Sequence, residues 1–329
     1  MPERADGASD TSDEARDSLL EQAAALWAAA TSAPADAPDD VAPPAGPGPA
    51  PGEVGDPAGF LAAYYRFVPA EDLTAAGPRR VAAVAAWHAA LGARRPQGRA
   101  AVQVRDAASA SLTGGGTVVD IVTDDMPYLV DSVTMELNRH AADIRLIVHP
   151  LLSVHRDVTG VAHGTVHATV DAEPPAGALA ESWIHVELGY LADQDTLAKD
   201  LRGVLDDLRV AMEDQRRMRA AARELVVSLE DAAVGGPEEA EAGELLAWMS
   251  AGHFTFLGYR EYDLTRHGAE PELKPVPGTG LGILRHDGAD SFDVTPPGGH
   301  QGARTARLLV LAKSSTPRRS LASLSCSDR

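Results

Sequence analysis

The sequence is short of the residues that small folds and charged interfaces depend on. It has a single cysteine, Cys326, so no internal disulfide can form, and no Cys/His spacing suits a structural zinc site. Aromatic residues make up only 5%, and much of the 44% apolar fraction is alanine, which buries little surface. A core must therefore come from the few segments where Leu, Val, Ile and aromatics concentrate. Basic residues are scarce too: 29 Lys and Arg stand against 48 Asp and Glu, a formal charge of −19. Such a field repels nucleic acid and anionic membranes, so neither is expected as a partner. No apolar run approaches the roughly 18 residues of a membrane helix. The opening Met1-Pro2-Glu3-Arg4-Ala5-Asp6 is polar and acidic, unlike a secretory signal, and a cytoplasmic location is expected.

What is present divides the chain into five stretches. Residues 1–58 read as a disordered Ala/Pro/Gly-rich tail with one short helix, carried by Leu19, Leu20, Ala23, Leu26 and Trp27 and expected to be marginal. Residues 59–110 read as a helical lead-in with one strand. Phe60–Phe67 is a short helix, and a second runs from Arg79 to Leu91 with Gly92 as its cap. Ala101–Arg105 alternates as a strand.

Residues 111–235 carry the strongest pattern. Val118, Val119, Ile121 and Val122 form a compact apolar run that predicts a buried strand. After it, Asp125 suits a helix N-cap and Pro127 a first helical turn, while Asp124 is expected to face solvent. Leu129, Val130, Val133 and Leu137 follow at helical spacing. Strands are predicted over Asp143–His155, Val161–Val170 and Trp183–Leu191, with a turn at Asp157–Gly160. A long amphipathic helix begins before Leu197 and reaches toward the Gly235-Gly236-Pro237 break. A second unit, 236–313, opens with a helix over Ala242–Ala251. Strands follow at Phe254–Tyr262, Leu281–Leu284 and Arg307–Leu311, and residues 314–329 read as an aberrant tail.

Candidate chemistry is sparse. Gly278-Thr279-Gly280-Leu281-Gly282 has Ile283 where a dinucleotide fingerprint needs its third glycine, and it leads into a strand; Gly114-Gly115-Gly116 also precedes a strand. Both read as turns. Strand parity puts His163 and His167 on one face, and His185 with Glu187 on the face opposite Ile184, Val186 and Leu188. Were those strands neighbours, the set would suit zinc. The simpler reading is a solvated sheet face, and no metal is expected there. His185-x-Glu187 matches a fragment of the zinc-deaminase signature, whose paired cysteines are absent. No serine nucleophile elbow, Lys-rich phosphate loop or acidic metal cluster is found.

Two groups of strings carry a family resemblance. Asp124-Asp125-Met126-Pro127-Tyr128-Leu129-Val130-Asp131-Ser132-Val133-Thr134-Met135-Glu136-Leu137, with His149-Pro150 and Arg156-Asp157-x-x-Gly160, resembles the N-terminal region of the large bacterial NAD-dependent glutamate dehydrogenases. So do Phe254–Tyr262 and Gly278–Arg285. The resemblance spans roughly Phe60 to Lys313. It implies an α+β fold: an ACT-like (ferredoxin-like) sheet with helices on one face, a long linking helix and a truncated second ACT- or PAS-like unit. It also implies that the catalytic domain and NAD site lie beyond Arg329. No catalytic or cofactor-binding residue is therefore expected in this chain, which is expected to be inactive alone. ACT domains pair and take ligands near the loop joining first strand to first helix. The resemblance thus implies self-association and an amino-acid effector near Asp124, Asp125, Met126, Pro127 and Asp131; a purely structural, oligomer-forming role is the alternative, and a free-standing metal-dependent enzyme, resting on the histidines alone, is a third reading.

Overall fold

The computed structural model describes residues 6–32, 56–107, 111–168, 174–231, 237–267 and 270–285. The chain divides into two compact units, the first ending at Arg202 and the second starting at Gly203. The seam falls inside a helix, whereas the sequence reading places one at the Gly235-Gly236-Pro237 break.

The first unit is an ACT-like α+β domain built on an antiparallel sheet. An interior strand, β2 (Thr117–Asp124), is buried along nearly its whole length, Val118, Val119, Ile121 and Val122 together with the Asp120 between them. β2 pairs with β1 (Ala101–Asp106) on one side and with β6 (Ala178–Leu188) on the other. The eleven-residue β6 is long enough to hold two further strands along its outer edge, β3 (Ile144–Val148) and β4 (Leu151–Arg156). β5 (Ala162–Ala168) pairs with β4 and completes the order β1-β2-β6-β4-β5. The single strand expected over Asp143–His155 is therefore two. Pro150 has no N–H for the ladder, so pairing breaks at His149-Pro150, while the Pro150 carbonyl accepts from the Trp183 N–H at 3.1 Å.

The pleat sorts the sheet into two faces. Val119, Ile121, Ile184, Val186 and Leu188, all fully buried, point to one. The buried stripes of α5 (Leu129–Arg139; Leu129, Val133, Leu137) and the start of α6 (Gln194–Asp231; Leu197, Leu201) complement that face, as in the ACT plan. Val122, Val148, Leu152 and Trp183 point the other way, into a core shared with four helices. These are α1 (Asp6–Ser32), α2 (Pro57–Tyr64), α3 (Ala70–Ala76) and α4 (Pro78–Gly92). The Asp56 carboxylate caps α2 by accepting from the Ala58 and Gly59 N–H groups.

Three expectations change here. The helix expected to be short and marginal is the 27-residue α1, with Leu19, Leu20, Ala23 and Trp27 buried and the Trp27 ring edge-on to Phe60 at 5.5 Å. A helix with a weak stripe is stabilised by the surface it lands on, which the local sequence does not reveal. Residues 33–55 of the expected tail lie outside the described residues. Gly92 is the last residue of α4, not its cap; it is small because the Trp183 ring crosses there, 2.1 Å from where a Cβ would stand. Of the face expected to be solvated, His185 and Glu187 are buried beneath α4 and the 111–113 loop, while His163 is exposed.

The second unit holds the rest of α6 and α7 (Pro237–Trp248), followed by a π-type turn over Met249–His253. Among its described residues are a two-strand pair, β7 (Gly258–Tyr259) with β10 (Leu281–Gly282), and a hairpin of β8 (Tyr262–His267) with β9 (Glu270–Pro275). The strand expected over Phe254–Tyr262 shrinks to β7, although the Phe254 and Phe256 rings do meet, at 5.7 Å. Gly280 and Gly282 serve backbone packing, since a Cβ would stand 2.2 Å from the Leu284 carbonyl and 2.1 Å from the Leu257 carbonyl, while Gly278 meets nothing and is set apart by its φ of +78°. Arg307–Leu311, the 314–329 tail and Cys326 lie outside the described residues. Among the described residues no helix is long and apolar enough to cross a membrane.

Candidate functional site

The turn after β2 holds the residues singled out by sequence, and the structure separates their roles. Asp124 ends β2 opposite Glu181, with its side chain 33% exposed. It accepts from the Arg95 guanidinium at 2.5 Å and from the Gly98 N–H at 3.2 Å. Arg95 is fully buried and also binds Glu181, which in turn receives two hydrogen bonds from Arg156 and one from the Trp183 indole N–H. Two guanidinium groups face two carboxylates, so the charges of the cluster balance and Asp124 anchors the turn.

Asp125 is not the helix cap either. Its N–H extends the sheet to the Ala180 carbonyl at 3.0 Å, and α5 starts four residues later, at Leu129. The residue ahead of α5 is Tyr128, left-handed at φ 68° and without a side-chain cap. Its carbonyl instead receives the Ser132 N–H and hydroxyl at 2.9 and 2.6 Å. The exposed Asp125 carboxylate is thus left for another partner, and accepts from the buried Ser182 hydroxyl at 2.7 Å. His149 Nε2 lies 3.1 Å from the same Ser182 oxygen. Since the Ser182 proton goes to Asp125, His149 donates, giving a polar chain from His149 through Ser182 to Asp125. Burial holds the His149 pKa below the ordinary imidazole value, so the ring is neutral near pH 7. This is not a nucleophile triad, because the carboxylate sits on the serine and not on the histidine. Its effect is to orient one Asp125 oxygen and leave the exposed carboxylate at the start of the turn. Met126 is half-buried, Pro127 is exposed, and Asp131 is exposed in the first turn of α5. Sequence reasoning missed Ser182 and His149 as site residues: the quoted strings contain His149, but only the β4–β6 register brings it to Ser182.

The histidine face resolves differently from its zinc reading. β5 and β6 are separated by β4, so His163 and His185 do not meet. His163 is exposed and pairs with Asp157 at 3.2 Å; the side chain of His167 lies outside the described residues. His185 is buried between Asp120, 2.6 Å from Nδ1, and Glu187, 3.2 Å from Nε2. Burial alone would lower its pKa, but the two carboxylates push it up to about 9. Burial would raise Glu187, yet His185, Ser111 and Thr113 hold it down to about 2. Asp120, which burial would also raise, is held well below the usual carboxylate range, chiefly by His185. His88 lies beside them, with Tyr64 Oη 2.7 Å from Nδ1 and the Ile121 carbonyl 3.1 Å from Nε2. A carbonyl can only accept, so Nε2 carries the proton and Nδ1 accepts from Tyr64; burial lowers this pKa to about 4. His88, Asp120 and His185 bring ligand atoms within 4.8 Å of one another, but every one already has a hydrogen-bond partner. The arrangement ties α4 and the 111–113 loop to the sheet.

Comparison with known proteins agrees with the architecture. Residues 60–203 match the model of the "Glutamate dehydrogenase, ACT1 domain" family. The chain is similar to an NAD-specific glutamate dehydrogenase of Halomonas elongata, 31% identical over 239 residues, which are 69% of this chain and 14% of that protein. It is also similar to that of Pseudomonas aeruginosa, 33% identical over 153 residues, 45% of this chain and 9% of the relative. With that of Mycobacterium tuberculosis it shares 31% identity over 204 residues, 60% of this chain and 12% of the relative. The chain thus spans a small fraction of the length of the curated relatives it matches.

Proposed function

Because residues 60–203 belong to the ACT1 domain family of the glutamate dehydrogenases, we propose that this chain is the regulatory N-terminal region of an NAD-specific glutamate dehydrogenase. In the complete protein, other segments bind NAD and convert L-glutamate to 2-oxoglutarate and ammonia. This region senses an amino acid at the turn between β2 and α5, self-associates through its ACT-like domain, and works in the cytoplasm. One observation carries the reading: the Asp125 carboxylate is exposed, oriented by Ser182 and not consumed as a helix cap. Asp125 and Asp131 receive the effector's ammonium, and the N-terminus of α5, with no side-chain cap, receives its carboxylate. The Arg95–Asp124–Glu181 cluster keeps the turn in place. Titration calorimetry of the chain with the common amino acids tests the site. One of them should bind with a Kd between about 1 μM and 1 mM, roughly 4–8 kcal/mol, and Asp125→Asn should weaken it at least tenfold. Silence from all of them, in folded and self-associated protein, would leave the purely structural role.

A further inference from the structure

A second polar cluster lies at the other end of α5, away from the turn and from the buried histidine face. Glu136 and His140 are four residues apart on α5 and share one side of it. Asp200, in the second turn of α6, faces them. His140 Nε2 stands 3.4 Å from Glu136 Oε1 and 3.2 Å from Asp200 Oδ2, and the three ligand atoms all lie within 4.8 Å of one another. Donors held about 2.0–2.1 Å from a tetrahedral ion are themselves about 3.3 Å apart. Both measured separations match the edges of such a shell.

The position at the centre is taken by a cation of the protein's own. One terminal nitrogen of Arg139 reaches Glu136 Oε1, Asp200 Oδ2 and, at 3.2 Å, His140 Nε2. These contacts cannot all be hydrogen bonds at once. If Nε2 accepts from Arg139 it has no proton for Asp200, and if it donates to Asp200 it repels the guanidinium. A metal ion removes the conflict, since it takes the Nε2 lone pair and both carboxylates together. The exposures favour the exchange. The Glu136 and Asp200 side chains are 1% and 6% exposed and His140 14%, whereas Arg139 is 33% exposed and can swing into solvent. The charges do as well: with Arg139 withdrawn, two carboxylates and a neutral imidazole are balanced by one divalent ion.

We propose that Glu136, His140 and Asp200 form a binding site for a divalent metal of the zinc class, with Arg139 as the latch the metal displaces. One imidazole and two carboxylates supply three ligands, and the fourth position falls to water. Binding would pin the C-terminal end of α5 to the start of α6.

The test uses the purified 329-residue chain, stripped with chelator and titrated with Zn2+ against a chromophoric competitor. The wild-type chain should take up one equivalent that His140→Ala and Asp200→Asn both lose. Arg139→Gln, which keeps all three ligands and removes the latch, should bind about tenfold tighter or more. Co2+ in the Arg139→Gln protein should give the intense visible bands of a tetrahedral site. Circular dichroism of each variant separates loss of ligand from loss of fold. The proposal is overturned if Arg139→Gln takes up no zinc, or binds it no more tightly than wild type. It is equally overturned if uptake survives His140→Ala, which would place the ion on other histidines, such as His163 with Asp157.

Discussion

Replacing Gly92 by alanine sets two effects of known sign against each other. Gly92 lies in the last turn of α4 with ordinary helical backbone, so alanine gains about 1 kcal/mol in helix propensity. Against this, the new Cβ would stand 2.1, 2.5 and 2.8 Å from three outer carbons of the Trp183 indole. Carbon atoms pack at about 3.5–4.0 Å, so the ring or the helix must give by well over an ångström. The ring has little slack: Trp183 is 2% exposed, wedged between Phe60 at 5.7 Å and His88 at 5.0 Å, and hydrogen-bonded to Glu181. Overpacking of this kind costs about 1–3 kcal/mol, and a clash on three atoms belongs at the top of that range. The clash wins, and Gly92→Ala should destabilise the chain by about 1–2 kcal/mol. For a unit of this size that lowers Tm by about 2–8 °C, measured by scanning calorimetry. Trp183→Phe removes the offending atoms, so the same Gly92→Ala change should be nearly neutral or stabilising in that background. A Tm for Gly92→Ala equal to or above wild type would refute the packing argument. So would an identical loss in the two backgrounds.

Other consequences follow from the buried networks. His88, with its pKa pushed down to about 4, stays neutral where an unfolded imidazole takes a proton. Its contribution is present above roughly pH 6.5 and is lost as pH falls toward 4. His185, pushed up to about 9, contributes fully below roughly pH 6.5 and loses that contribution as pH rises through 9. Denaturation midpoints should therefore peak near neutrality, and His185→Gln should flatten the alkaline limb; an unchanged alkaline limb would count against the assigned charge. Arg95→Met leaves Glu181 and Asp124 short of a buried partner and should cost about 3–5 kcal/mol, read from urea unfolding, whereas a loss under 1 kcal/mol would mean the cluster relaxes without it. Trp27→Ala should undock α1 at a cost of about 3–5 kcal/mol and expose it to limited proteolysis ahead of the sheet; unchanged protection would show that α1 does not depend on this contact.

The elements of the first unit were legible because their signals are local. The Val118–Val122 run reads as a buried strand, the stripe from Leu129 to Leu137 as a helix with one buried face, and Asp157–Gly160 as a turn. The strings around Asp124 and Phe254 also carried the family without any three-dimensional knowledge. What the sequence left open depended on which segments meet. Alternation marked His185 and Glu187 as polar positions, but a polar strand face looks the same whether water or a helix covers it. Only α4 lying over β2 and β6 makes that face a buried, charge-balanced network. Asp125 has the local chemistry of an N-cap, yet the β2–β6 ladder runs one residue further and draws it to Ser182. Gly92 looked like a cap because a glycine's need for small size depends on what crosses it, here a tryptophan 91 positions along the chain. Arg139, Glu136 and His140 are visible on one helix, but Asp200 reaches them only because α5 and α6 lie side by side. Periodicity and capping act within a few residues and are written in the sequence. Register, cover and the partners of charged groups are long-range, and tertiary packing decides them.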